Sequence, residues 1–254
     1  MVGLLNKTIW MVSGNKGGVG KSLCCLALAS ALELRGELFA VMDGDGRTGD
    51  IFHTFLRKCP AQWADFRELR PEAYNCRQDE VYETMIHQLL QTSSHLIINT
   101  PDGADSTLMK WFDLTLKHTE SSGYQFKLLY LMSERPDGLN MLEGLASRFA
   151  FLFPIRNLYF GSDDLFAAFN HSYAHNFRDV LEFPRLRAEE VRMLFDLNTY
   201  PSEVLRLRRA KSADGQSFSF STITRSRLFA WQIEVLESLS AALDGDVANV
   251  IAGI

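Results

Sequence analysis

Gly14, Gly17, Gly18 and Gly20, followed at once by Lys21 and Ser22, are the residues whose types and spacing best support a chemical role. Glycines have no Cβ, so successive backbone N–H groups can crowd around an anion. A lysine at the end of such a loop can reach terminal phosphate oxygens, and a serine hydroxyl beside it can ligate Mg²⁺. Gly14, Gly20, Lys21 and Ser22 meet the spacing Gly-x-x-x-x-Gly-Lys-Ser of a phosphate-binding loop. A second lysine, Lys16, stands inside the same loop. Two carboxylates, Asp43 and Asp45, and the pair Asn99 and Asp102 follow later in turns that end apolar runs.

These residues need a scaffold that brings them to one edge. Residues 7–12 form a β-like run before the loop, and residues 23–35 form a helix-like run after it. Gly36 then stands where a left-handed cap is favoured. The helix N-terminus adds partial positive charge at the loop. Residues 38–42 are continuously apolar and run into Asp43-Gly44-Asp45, the pattern of a buried parallel strand with carboxylates at its C-terminal edge. Residues 51–78 read as irregular, broken by Pro60 and Pro71. A helix at 80–92, a strand over 96–99 and a helix at about 105–118 follow. Next come a strand over 126–132, a helix ending near Phe149, and a strand over 151–156 that ends in Asn157. A strand over 180–183, Pro184 and a helix at 186–194 precede an irregular basic segment at about 200–227. A last helix spans about 226–243. The alternation predicts one doubly wound α/β domain over 1–254, its sheet mostly parallel with helices on both faces.

The run Lys16-Gly17-Gly18-Val19-Gly20-Lys21-Ser22 resembles the deviant Walker A loop of the ParA/MinD family, dimeric P-loop ATPases that position plasmids, septa and other cargo. Recognisable motifs extend from about residue 7 to 157, and beyond that the likeness is one of layout. The resemblance implies ATP and Mg²⁺ as cofactors and a homodimer formed on ATP binding, with Lys16 crossing to the partner's phosphates. It implies nucleotide contacts from Gly17, Gly18, Val19, Gly20, Lys21, Ser22 and Leu23. It gives catalytic roles to Lys16, Lys21 and Asp45, the last supporting attack of water on the γ-phosphate. Ser22, Asp43 and the position of Asn99 correspond to the Mg²⁺ shell, and Asn157 with Pro184 to the adenine site. An asparagine ending a strand can equally be a simple cap, so both readings stand for Asn157.

Two residues depart from the family pattern. Asn99 stands where the family has an aspartate, and an amide lacks the charge that holds the water shell of Mg²⁺. Leu23 replaces the usual second Ser or Thr. Slow or absent turnover is the expectation, which keeps open a nucleotide-binding localisation scaffold with little hydrolysis. There is also a fainter resemblance to the StbB and TraL type of proteins of conjugative plasmids. No Asn/Thr-Lys-x-Asp motif for reading guanine is present, which favours ATP over GTP.

Net charge is −5, so contact with nucleic acid must come from a local patch. Residues 200–227 supply one candidate: Arg206, Arg208, Arg209, Lys211, Arg225 and Arg227 stand against Glu203 and Asp214, a local balance of +4. Such cations can bind DNA phosphates without reading sequence, or simply form a solvated loop. The resemblance adds an adaptor protein as a further partner. Residues 244–254 hold no Lys or Arg, so no membrane anchor is expected, and the cytoplasm, with nucleoid association, is the expected location. Cys24, Cys25, Cys59 and Cys76 show no C-x-x-C pairing and suit a reducing compartment. His171 and His175 are four apart with no third ligand evident. A metabolic enzyme on the same fold would need paired substrate anchors, and none stands out in the sequence.

Overall fold

The computed structural model describes residues 7–14, 16–68, 77–102, 123–135, 139–207, 209–212, 215 and 217–243. Seven parallel strands form the main sheet: β1 (Lys7–Gly14), β2 (Phe39–Asp43), β3 (Ala61–Trp63), β4 (His95–Asn99), β5 (Tyr124–Met132), β6 (Leu152–Asn157) and β7 (Leu181–Phe183). Their order is β3-β2-β4-β1-β5-β6-β7, so β1 is central. The chain passes from β4 on one side of β1 to β5 on the other, and ligand sites form at such reversals, outside the carboxyl ends of the strands.

Side-chain alternation divides the core into two layers. Trp10, Val12, Phe39, Val41, Ile97, Leu129 and Leu131 pack on one face of the sheet. Ile9, Met11, Ala40, Met42, Leu96, Ile98, Leu128 and Tyr130 pack on the other. Because both faces are covered, the strands read as continuous apolar runs. The first layer is closed by α1 (Lys21–Leu34), α6 (Ala188–Asp196), α7 (Pro201–Arg206) and α8 (Thr222–Ser238). The second is covered by α3 (Arg77–Gln91) and α4 (Leu139–Ala146), with Phe169 of α5 (Ala167–Ser172). Gly36 has φ +71 just past α1, and its N–H bonds to Glu33, as a left-handed C-terminal stop requires.

Three sequence expectations change. The stretch read as irregular contains α2 (Asp50–Phe55) and the short edge strand β3, each too brief to give a periodic signal. The described residues of the basic segment likewise form regular elements. They hold α7 and an antiparallel hairpin, β8 (Arg209–Lys211) with β9 (Ser217–Ser219). The last helix starts at Thr222, not near 226, because Ser221 caps it by accepting from Thr224 N at 3.0 Å, and it ends at Ser238. His171 lies in α5 and His175 in a separate 3₁₀ turn, and no metal-holding group of His, Cys, Asp or Glu exists among the described residues. Cys24, Cys25 and Cys59 are free thiols, and burial pushes the Cys24 thiol up to about 12, so it packs as a small apolar group. The helix expected at about 105–118, Arg208, Asp214, Cys76 and the tail 244–254 lie outside the described residues. No helix among the described residues is long and apolar enough to cross a membrane.

Candidate functional site

β1 ends at Gly14 and α1 begins at Lys21, so the glycine-rich loop crosses the C-terminal edge of the sheet at its centre. Gly20 has φ +98, a conformation that side chains rarely adopt, and a Cβ there would meet Asn157 Nδ2 at 2.7 Å. Both facts require glycine. Asn157 fixes the loop: its Nδ2 donates to the Val19 carbonyl at 2.8 Å, and its Oδ1 accepts from Tyr159 N at 3.0 Å. The amide expected to read adenine thus spends one donor and one acceptor on the protein itself. Lys21 is buried and its Nζ donates to the Lys16 carbonyl at 3.3 Å. The Lys16 ammonium lies 4.8 Å from the centroid of the Phe160 ring.

A cavity of about 570 Å³ opens beside this loop. Its floor is Gly17, Gly18, Gly20, Lys21, Ser22 and Leu23, and Asp45, Asn99, Asp102 and Asn157 also border it. The far wall is mostly apolar, with Phe183, Pro184, Leu186, Val191 and Phe195, and also carries Arg192. That volume suits a nucleotide, with phosphates at the loop and a base against the apolar wall. Pro184 is held from behind, because the buried Trp231 indole N–H donates to its carbonyl at 2.9 Å.

The expected Mg²⁺ residues separate. Ser22 borders the cavity, but Asp43 does not: it is fully buried behind it. Asp43 Oδ1 accepts from Asp45 N at 3.2 Å and from Asn99 Nδ2 at 2.9 Å. Its Oδ2 accepts from Ile51 N at 2.9 Å and Phe52 N at 3.1 Å, so this carboxylate caps the first turn of α2. Burial raises its pKa, partly offset by these bonds. Four donors within the protein occupy it, so Asp43 has a structural role at the start of α2. Asn99 is the matching partner, since an amide N–H can donate to a buried carboxylate where a second carboxylate could not.

Asp45 is also engaged. Its Oδ1 accepts from Arg67 at 2.9 Å and from Arg47 N at 3.0 Å, while its carbonyl accepts from the Trp63 indole at 2.8 Å. Asp65 binds the same guanidinium at 2.8 Å. Sequence reasoning missed Trp63 and Arg67, which lie in the stretch without periodic signal. It also missed Thr48 and Asp50, which border the cavity ahead of and at the start of α2.

The basic cluster is divided by structure. Arg206 pairs with Glu33 at 2.8 Å, Arg227 with the buried Glu190 at 2.7 Å, and Arg225 donates to the Leu205 carbonyl at 2.7 Å. Arg209 and Lys211 are exposed on β8.

No family model matches the chain. Protein MobD of Acidithiobacillus ferrooxidans is 22% identical over 170 residues, covering 65% of this chain and 70% of that protein. A Borrelia burgdorferi B31 protein assigned to plasmid partition, solved with AMPPNP, superposes with a TM-score of 0.56 at 14% identity, covering 93% of this chain and 98% of that one. Apo McdA of Cyanthece gives 0.54 at 15% identity, covering 92% and 99%. A nucleotide-binding protein of Archaeoglobus fulgidus, in complex with ADP, gives 0.54 at 14% identity, covering 76% and 88%. The chain therefore shares with these structures the fold of a parallel sheet with a glycine-rich loop at its central strand.

Proposed function

We propose that this protein is a nucleotide-dependent switch for partition or positioning, binding ATP with Mg²⁺ and dimerising on it. One observation carries the reading: Lys16 and Lys21 flank a glycine loop that forms the floor of a nucleotide-sized cavity at the sheet's reversal point. Lys21 and the loop amides bind phosphates, the Ser22 hydroxyl would supply an oxygen to the metal, and the Pro184 wall takes the base. Lys16 supplies the charge that crosses to a second copy. Plasmid DNA or a related complex is the cargo, reached through an adaptor protein in the cytoplasm or on the nucleoid. Direct DNA contact falls to Arg209 and Lys211 of the hairpin, since three of the arginines hold other parts of the protein.

Light scattering with a slowly hydrolysed ATP analogue tests the switch. The parent should double in mass on adding the analogue, and Lys16→Ala should stay monomeric while still binding nucleotide. A variant that dimerises like the parent would return Lys16 to an ordinary loop residue.

A second reading, a localisation scaffold with little or no hydrolysis, is favoured by the Asp45–Arg67 ion pair and by the amide at Asn99. Phosphate release with and without DNA separates the two. Turnover rising on DNA supports the switch, and none under either condition supports the scaffold.

A further inference from the structure

The cavity contains a carboxylate that neither the loop motif nor the resemblance assigns. Asp102 follows β4 by three residues and is exposed at the cavity wall. A Cβ built on Gly17 would meet Asp102 Oδ2 at 2.8 Å and its Cγ at 3.2 Å, so the carboxylate lies against the phosphate-binding loop itself. Its side chain has no hydrogen bond or ion pair among the described residues. Of the other acidic groups nearby, two are held by the protein and one borders the same cavity. Asp43 is buried under four donors, and Asp45 is paired with Arg67. Asp50 borders the cavity at the start of α2.

A bare triphosphate entering this loop brings several negative charges beside a carboxylate that has no ion pair among the described residues. Like charges brought together there oppose binding, and the cations at hand, Lys16 and Lys21 of the loop and Arg192 of the cavity lining, must offset both. A divalent cation bound with the triphosphate would remove that conflict, because its charge would offset that of the carboxylate. Ser22 and Asp102 provide hard oxygen atoms of the kind Mg²⁺ accepts, whereas Asn99 offers an uncharged oxygen that accepts from the Cys25 thiol at 3.8 Å, its Nδ2 being given to Asp43.

We infer that Asp102 is the residue that makes nucleotide binding depend on the metal, taking over a charge that position 99 does not carry. The inference rests on the nucleotide-site reading above. Asp102 sets which form of the nucleotide enters, and Asp43 with Asn99 sets the frame behind it.

Calorimetric titration of ATP, with Mg²⁺ or with EDTA, into the full chain tests this in the parent, Asp102→Asn and Asp50→Asn. The parent should bind at least tenfold tighter with Mg²⁺. In Asp102→Asn the two affinities should fall within about twofold, chiefly because binding in EDTA improves. Asp50→Asn should keep the parental ratio. An unchanged ratio in Asp102→Asn overturns the inference while leaving the loop assignment intact, as does collapse of the ratio in Asp50→Asn alone. A parent that binds ATP equally well with and without Mg²⁺ also overturns it. A parent that binds no nucleotide in either condition overturns the nucleotide-site reading, and the inference with it. Circular dichroism of each variant confirms the fold, which an exposed Asp→Asn change should leave intact.

Discussion

Asn99 and Asp43 are a donor and an acceptor matched inside the protein, 2.9 Å apart with Asp43 fully buried. The amide is therefore no mere loss of charge from a metal site, because it stabilises the carboxylate that starts α2. Asn99→Asp would set two carboxylates against each other in a dry environment, where only one can ionise readily. Their shared proton would raise the folded pKa of the pair above the ordinary 3.8 of Asp, already raised at Asp43 by burial. A raised folded pKa gives stability that is present at low pH and lost as pH rises through it. Asn99→Asp should therefore be destabilised by about 1–3 kcal/mol or more at pH 8, and by less at pH 5. Urea denaturation of parent and variant at both pH values measures this. A variant as stable as its parent at pH 8 would show that the amide's donor contributes nothing.

At the level of elements, the far wall of the cavity depends on α8 more than on the loop. Trp231 stands in the middle of that helix, packs edge-on to Phe183 at 5.6 Å and donates to the Pro184 carbonyl. Trp231→Phe keeps the ring packing but leaves a buried carbonyl without its donor, at a cost of about 1–3 kcal/mol. The denaturation midpoint should fall with an unchanged slope, and nucleotide affinity should weaken as Pro184 loosens. An unchanged midpoint would mean that packing alone places Pro184. The elements were unevenly legible in the sequence. β1, β2, β4, β5 and β6 were readable because both faces of a parallel sheet are apolar, and α1 because glycines bound it. The edge strand β3 and the six-residue α2 and α7 were not, since three to six residues give no period. In the site, the loop was readable from local spacing alone. The pairing of Asp45 with Arg67, 22 residues apart, and of Asn99 with Asp43, 56 apart, depends on which strands become neighbours. No local pattern records that.

Across the whole molecule, several side chains tie the layers together at the strand beginnings, opposite the cavity. His95 on β4 uses both ring nitrogens: Nδ1 accepts from the Trp10 indole at 3.2 Å, and Nε2 lies 2.6 Å from Glu37 Oε2. That arrangement fixes the proton on Nε2. Lys127, fully buried, donates to the Ala242 carbonyl at 2.6 Å just past α8 and lies 5.0 Å from the Trp10 ring. Burial would raise the Glu37 carboxyl, but hydrogen bonds from His95 and Arg35 outweigh it and hold the group below its ordinary 4.5. A lowered folded pKa contributes stability that is present above the unfolded value and lost as pH falls through the folded one. Stability of the parent should therefore drop as pH falls below about 4.5, and Glu37→Gln should flatten that part of the profile. Midpoints measured from pH 3 to 7 decide it, and parallel profiles for the two proteins would remove Glu37 from acid sensitivity.

The turn around Asp45 has one further property. Trp63 stacks on Phe52 with ring centroids 5.8 Å apart, is 40% exposed, and gives its only N–H to the Asp45 carbonyl. Trp10 and Trp231, by contrast, are enclosed in the core. Indole emission shifts in colour and yield when its hydrogen bond or its contact with water changes. Any movement of Asp45 toward or away from the cavity is therefore coupled to an intrinsic optical signal, and the segment bordering the cavity carries its own reporter without a label.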